Sequence, residues 1–181
     1  MADARGAKME RSPIVTGLFK DKDDAERAYS SLLDRGYTRD DINVMMSDET
    51  RNRWYPADRK SKSELGDKAL EGAGVGGAIG GATGAIIGAI AAIGTTLALP
   101  GLGLLIAGPI AAALAGGGAG ALTGGLIGAL VGAGIPEERA KAYDKGIREG
   151  GTVIGVTPRN EADAEYVANI LRQNGAEHVN M

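Results

Sequence analysis

The sequence lacks cysteine and has a single histidine, His178, among its 181 residues. Disulfides, thiolate metal sites and a cysteine nucleophile are therefore excluded, and a reducing compartment such as the cytoplasm is the default expectation. One histidine supplies neither the ligand set of a zinc site nor the base and orienting acid of a catalytic triad. We expect no catalytic residue, no cofactor and no metal, and no small-molecule substrate is indicated.

Aromatic residues are also scarce, since one Phe and one Trp stand against 30 glycines, whereas glycine averages about 7% of residues in globular proteins. The formal net charge of -3 argues against a nucleic-acid partner, because such binders are usually basic over the binding domain. Residues 1–12 are polar and carry neither an apolar run nor a small-residue cleavage site, so we expect no secretory signal and a disordered N-terminus.

Charge is absent from a long internal block. Glu71 and Glu137 are consecutive ionisable residues, and the 65 positions between them contain no Asp, Glu, Lys, Arg or His. Pro100 and Pro109 divide this block into two arms. We therefore predict a helical hairpin over residues 63–135, with a first helix reaching about residue 98 and an uncharged turn over 97–107.

Glycine recurs at every fourth residue in each arm. Residues four apart lie on one face of a helix, so each arm presents a stripe on which another helix can pack closely. Glycine in an exposed helix costs about 1 kcal/mol per residue relative to alanine, so these stripes are expected to be covered. The predicted helix-packing and oligomerisation positions are Gly72, Gly76, Gly80, Gly84, Gly88, Gly116, Gly120, Gly124, Gly128 and Gly132.

The two flanks of the block follow the same pattern. In the first, a β-type run at 15–19 precedes a helix that Asp21 can cap and Gly36 can end, and a second strand follows at 42–46. The second flank repeats this order.

In the second flank, a helix over 136–150 leads back to a strand at 152–156. Asn160 then caps a helix that ends at Gly175, and a strand follows at 178–181. Two such halves predict an α+β fold, a ferredoxin-like split βαβ sandwich interrupted by the hairpin. The predicted division is a disordered terminus 1–12, a first βαβ half 13–47, a basic linker 48–62, the glycine-zipper hairpin 63–135, and a helix with the second βαβ half 136–181.

A basic segment with an aromatic pair precedes the first arm. Such residues suit an anionic membrane surface, where each cation contributes on the order of 1 kcal/mol and aromatic rings lie among the headgroups. The alternative is a solvated linker, and binding to nucleic-acid phosphates would use the same chemistry. The candidate membrane-surface residues are Arg51, Arg53, Trp54, Tyr55, Arg59, Lys60 and Lys62.

Residues 134–143 read Gly-Ile-Pro-Glu-Glu-Arg-Ala-Lys-Ala-Tyr, and residues 150–153 read Gly-Gly-Thr-Val. With these segments, the N-terminal βαβ pattern and the zipper, the chain resembles the bacterial family of general stress proteins (17M-like) and low-temperature-induced proteins over nearly its whole length. The resemblance implies a stress-associated role and no catalytic residues.

Three functions follow as hypotheses. In the first, the hairpin enters the membrane from the cytoplasmic side of the inner membrane, with membrane lipid and other copies of the chain as partners. In the second, hairpins pack between chains in a cytoplasmic soluble homo-oligomer or filament. In the third, a ferredoxin-like regulatory domain binds a small ligand.

Overall fold

The computed structural model describes residues 14–55, 86, 96–99, 103–111 and 121–181. These segments contain both strands and helices, as expected for a mixed α+β fold. The elements are β1 Val15–Phe19, α1 Lys22–Asp34, β2 Ile42–Ser47, α2 Asp48–Trp54, β3 Thr96–Leu99, β4 Leu104–Ala107, α3 Ala121–Gly132, α4 Glu137–Arg148, β5 Thr152–Val156, α5 Glu161–Gln173 and β6 Glu177–Asn180.

The strands form one six-stranded sheet in the order β3-β4-β2-β5-β1-β6, in which every neighbouring pair is antiparallel. Strand β5 lies between β1 and β2, with Val156 opposite both Val15 and Ile42. Helix α1 therefore links two strands that run parallel with β5 between them, and α5 links β5 to β6 across β1. The predicted α+β class and the strands of both flanks are confirmed, with the last strand one residue earlier than expected.

Local capping explains where the two crossover helices begin. The Asp21 side chain accepts hydrogen bonds from the backbone of Asp23 and Asp24 at the start of α1. The Asn160 side chain accepts one from the Asp163 backbone at the start of α5. Both caps were predicted, because a short polar side chain before an amphipathic segment satisfies backbone N–H groups that the helix leaves free.

Helices cover both faces of the sheet, so two hydrophobic clusters form the core. One cluster joins α1 and α5 to one face and includes Ile154 of β5. The other joins α3 and α4 to the opposite face and includes Val153. Successive side chains of a strand point to opposite faces, which explains why neighbouring residues of β5 belong to different clusters and why all five are buried.

The prediction for the tip of the uncharged block is wrong. Strands β3 and β4 form a β-hairpin, with Thr96 opposite Ala107 and Leu99 opposite Leu104, where we expected the end of a helix and an apolar turn. Strand β4 also pairs with β2. The free backbone groups along the edge of β2 need partners, and an extended segment supplies them whereas a helix cannot.

The linker predicted for 48–62 begins instead as helix α2. The Ser47 hydroxyl accepts a hydrogen bond from the backbone of Thr50 at 3.0 Å and so caps this helix. The segment is polar and has no clear helical periodicity, so the sequence did not indicate a helix, although Ser followed by Asp and Glu is a typical helix start. The remainder of the linker, the N-terminal segment 1–12 and most of the hairpin lie outside the described residues.

Candidate functional site

The described part of the uncharged block extends one edge of the sheet. We call this region, consisting of β3, β4, residues 108–111 and α3, the uncharged end. Leu104 and Ile106 of β4 share a buried cluster with Leu126 and Leu130 of α3. The described part of the block is therefore built into the domain.

The buried side chain of Asn43 anchors the chain that follows β4. Its Oδ1 accepts a hydrogen bond from the Ile110 backbone N–H at 2.7 Å, and its Nδ2 donates to the Gly155 carbonyl at 3.3 Å. Gly108, two residues before Ile110, packs against the backbone of Ile42 and Asn43 and has a φ of 105°. A Cβ there would lie 2.5 Å from the Ile42 carbonyl oxygen, so only glycine allows this close approach.

A second anchor holds the first arm. Glu26 is 1% exposed; its carboxylate accepts hydrogen bonds from the Tyr55 hydroxyl and, at 3.2 Å, from the backbone N–H of Ile86, which is fully buried. Burial raises the pKa of Tyr55, and the neighbouring Glu26 raises it further, so the phenol keeps its proton and donates. Two donors thus satisfy a carboxylate that would otherwise be costly to bury.

The candidate membrane-surface residues that the structure describes divide into two groups. Trp54 and Tyr55 are half-buried and pack against the core cluster of α1 and α5. Arg53 donates to the Gly150 carbonyl at 3.1 Å, and Arg51 donates to the side chain of its neighbour Asn52 at 3.3 Å. The structure therefore uses the aromatic pair for packing. Arg59, Lys60 and Lys62 lie outside the described residues.

Of the ten zipper positions, the structure describes Gly124, Gly128 and Gly132, all in α3. The non-helical backbone of Gly125 (φ 57°, ψ -149°) separates the first from the other two, so a regular spacing of four does not give one continuous stripe here. The remaining positions, Gly72, Gly76, Gly80, Gly84, Gly88, Gly116 and Gly120, lie outside the described residues.

The face of α3 that carries Gly132 points away from the core. Leu126, Ala129 and Leu130 are buried, whereas Val131 is 43% exposed and Gly132 is exposed. A Cβ built on Gly132 would meet no heavy atom of the described structure within 4 Å. Side-chain bulk can thus be added at this position without disturbing the described fold.

A polar cluster that the sequence analysis missed closes the end of the domain between α1 and α5. The Tyr37 hydroxyl donates to Asp163, which is 8% exposed, and Arg35 lies 3.6 Å from the same carboxylate. The Tyr37 hydrogen bond lowers the pKa of Asp163 although burial opposes this, and burial with the Asp163 contact raises the pKa of Tyr37 to about 12. Arg159 stacks 4.7 Å from the Tyr37 ring. The partners are too far apart in sequence for any spacing to reveal them.

This cluster contains charges of both signs, and its hydrogen bond from Tyr37 to Asp163 ties the segment after α1 to α5, so its geometry favours a structural role. A shallow groove of about 380 Å³ lies nearby between α1 and α5 and is open to solvent; its lining residues are Ser31, Asp34, Arg35, Tyr166, Ile170, Gln173 and Asn174. Within the described segments, no three His, Cys, Asp or Glu side chains group as metal ligands would. Within those segments too, every helix is too short or too polar to cross a membrane.

Comparison of the chain with protein-family models, curated proteins and solved structures finds no match. The resemblance to the general stress protein family accordingly stays a prediction.

Proposed function

We propose that the chain is a non-enzymatic, stress-associated protein that forms homo-oligomers through its uncharged end. The observation that carries the proposal is a face of α3 that the described residues leave uncovered, where Val131 and Gly132 are exposed. Glycine at such a position weakens an isolated helix but lets a second helix approach closely. The stress association comes from the family resemblance alone.

The lengths of chain between anchored points favour self-association over a hairpin that crosses the bilayer. Such a hairpin requires two helices of about 20 residues each. Between Tyr55 and Ile86 there are 30 residues, and 9 separate Ile86 from Thr96. Another 9 separate Ala111 from Ala121. Each of these segments is shorter than a double crossing needs, and the strands between them are hydrogen-bonded into the sheet.

We also propose that the four strands outside the uncharged block form a ferredoxin-like split βαβ core. Their order, β2-β5-β1-β6, with α1 and α5 as the crossover helices on one face, supports this. The uncharged β-hairpin then extends this core beyond β2, at the side of the sheet opposite β6.

Association with the surface of the cytoplasmic membrane is a second candidate. The observation that favours it is the block of 65 residues without a charge, which lipid would accept at little cost. Flotation with vesicles of phosphatidylethanolamine and phosphatidylglycerol tests it. Protein that stays at the bottom of the gradient at every lipid concentration contradicts lipid binding.

Two substitutions at one position test self-association. Alanine and leucine are both better helix formers than glycine by roughly 1 kcal/mol, so Gly132→Ala and Gly132→Leu have similar effects on α3 itself. Only leucine adds bulk to the uncovered face. In sedimentation velocity without detergent, we expect wild type and Gly132→Ala to form the same oligomers of the 18.4 kDa chain and Gly132→Leu to form smaller or weaker ones.

An oligomer that is equally stable in both variants would show that this face makes no contact between copies. A wild-type protein that sediments as one chain at all concentrations would contradict the proposed function as a whole.

A further inference from the structure

The two edges of the sheet differ in how they are protected. At the β6 edge, Glu177 forms an ion pair with Lys20 at 2.8 Å. His178 has a positive φ of 53°, and the register of β6 against β1 shifts between Thr16 and Leu18. Charge and an irregular backbone are both features that prevent a further strand from pairing with an edge.

The opposite edge, β3, has neither kind of protection. Residues 96–99 read Thr-Leu-Ala-Leu, without charge, proline or glycine, and they keep a continuous register with β4 over all four pairs. No strand of the described structure pairs with the other side of β3. A regular edge of this kind leaves backbone N–H and C=O groups that require partners.

The strand beside β3, and the helix residues that pack on that strand, are uncharged as well. Strand β3 pairs with β4, and Leu104 and Ile106 of β4 share a buried cluster with Leu126 and Leu130 of α3. A strand that pairs with β3 therefore meets a strand without a charged residue. A second copy brings an identical uncharged strand, so the pairing of the two strands removes no ion of either strand from water. An antiparallel strand edge is also complementary to itself about a two-fold axis.

We infer that β3 pairs antiparallel with β3 of a second copy, joining two six-stranded sheets into one sheet of twelve strands. The inference rests on the proposed self-association and names the contact through which the first pair of copies forms. Because a two-fold contact is closed, it sets a dimer as the unit from which any larger assembly is built.

The absence of cysteine from the chain allows a direct test by disulfide formation. On a two-fold axis a residue lies opposite its own copy, with Cα atoms about 4.5–5.5 Å apart, which is within the range of a disulfide. We would prepare the full chain as Thr96→Cys, Leu97→Cys, Ala98→Cys and Leu99→Cys and oxidise each with copper phenanthroline.

We expect one of these samples to give a covalent dimer efficiently and its neighbours in sequence to give much less. His178→Cys, at the protected edge, serves as the matched control and should stay monomeric on a denaturing gel. As a second measurement, Ala98→Lys should lower the sedimenting mass, whereas His178→Lys should leave it unchanged, with circular dichroism confirming that both variants fold.

The outcomes separate the inference from the proposed function. If wild type sediments as an oligomer but no β3 sample cross-links above the His178→Cys control, the inference is overturned while self-association stands. Efficient cross-linking of Val131→Cys with none at β3 likewise overturns it and assigns the contact to α3. If wild type sediments as a single chain, both the proposed function and the inference fail.

Discussion

Replacing Asn43 by alanine should substantially destabilise the domain. The substitution removes the acceptor of the Ile110 backbone N–H at 2.7 Å and the donor to the Gly155 carbonyl at 3.3 Å, both at a fully buried site. A buried donor without a partner costs about 1–3 kcal/mol, and the longer second bond adds less. We therefore expect Asn43→Ala to lower the free energy of unfolding by about 2–4 kcal/mol.

Calorimetry at one protein concentration measures this effect, since the melting temperature of an oligomer depends on concentration. For 150–250 residues, 1 kcal/mol corresponds to roughly 2–4 °C, so the melting temperature should fall by about 5–15 °C. Asn169→Ala, at an exposed position of α5, is the control and should change stability by no more than about 0.5 kcal/mol. Equal melting temperatures for the two variants would refute the role of Asn43 as an anchor of the uncharged end.

Three further predictions concern other contacts. Glu26→Leu should speed amide hydrogen exchange at Ile86, because the N–H loses its carboxylate partner; unchanged exchange there would contradict the contact. Gly108→Ala should lower the free energy of unfolding in urea by about 2 kcal/mol or more, because φ at Gly108 is 105° and the added Cβ would lie 2.5 Å from a carbonyl oxygen. Gly132→Ala is the control and should not destabilise the protein. Tyr37→Phe should destabilise the protein at pH 7, and urea unfolding at pH 7 and pH 3 should give a smaller difference from wild type at pH 3. The reason is that the hydrogen bond from Tyr37 is the main cause of the lowered pKa of Asp163 in the folded state. The stabilisation by this hydrogen bond is complete at pH values above the pKa of the unfolded state, about 3.9, and is lost as the pH falls through the pKa of the folded state. An equal difference at both pH values would contradict this reasoning.

The flanks could be predicted from sequence because their signals are local. Asp21 and Asn160 each precede a helix with an apolar face, and short β-type runs stand at either side. These features act over a few residues and agree with the tertiary structure. Caps, turns and strand positions were therefore correct to within about one residue.

The β-hairpin at residues 96–107 could not be predicted in this way. Its residues are uncharged and continue the composition of the arms, so periodicity alone favoured helix. Their strand conformation depends on β2, about 60 residues before β4 in the chain, whose edge supplies hydrogen-bond partners. Long-range pairing of this kind leaves no signal within the segment itself.

The same reason explains the anchors that the sequence analysis missed. Glu26 lies in the middle of a polar helix, where a carboxylate is usually solvated, yet it is buried because Tyr55 and Ile86 supply donors from other elements. Asp163 and Tyr37 meet across 126 positions. Buried polar pairs depend on which elements the fold brings together, so they become visible only in three dimensions.

Sedimentation velocity of the full chain without detergent, over a range of concentrations, tests the central claim most directly. If the uncharged end is covered by another copy, the protein sediments as a dimer of the 18.4 kDa chain or a larger multiple, and Gly132→Leu weakens this association while Gly132→Ala does not. A single 18.4 kDa species at every concentration would contradict the account.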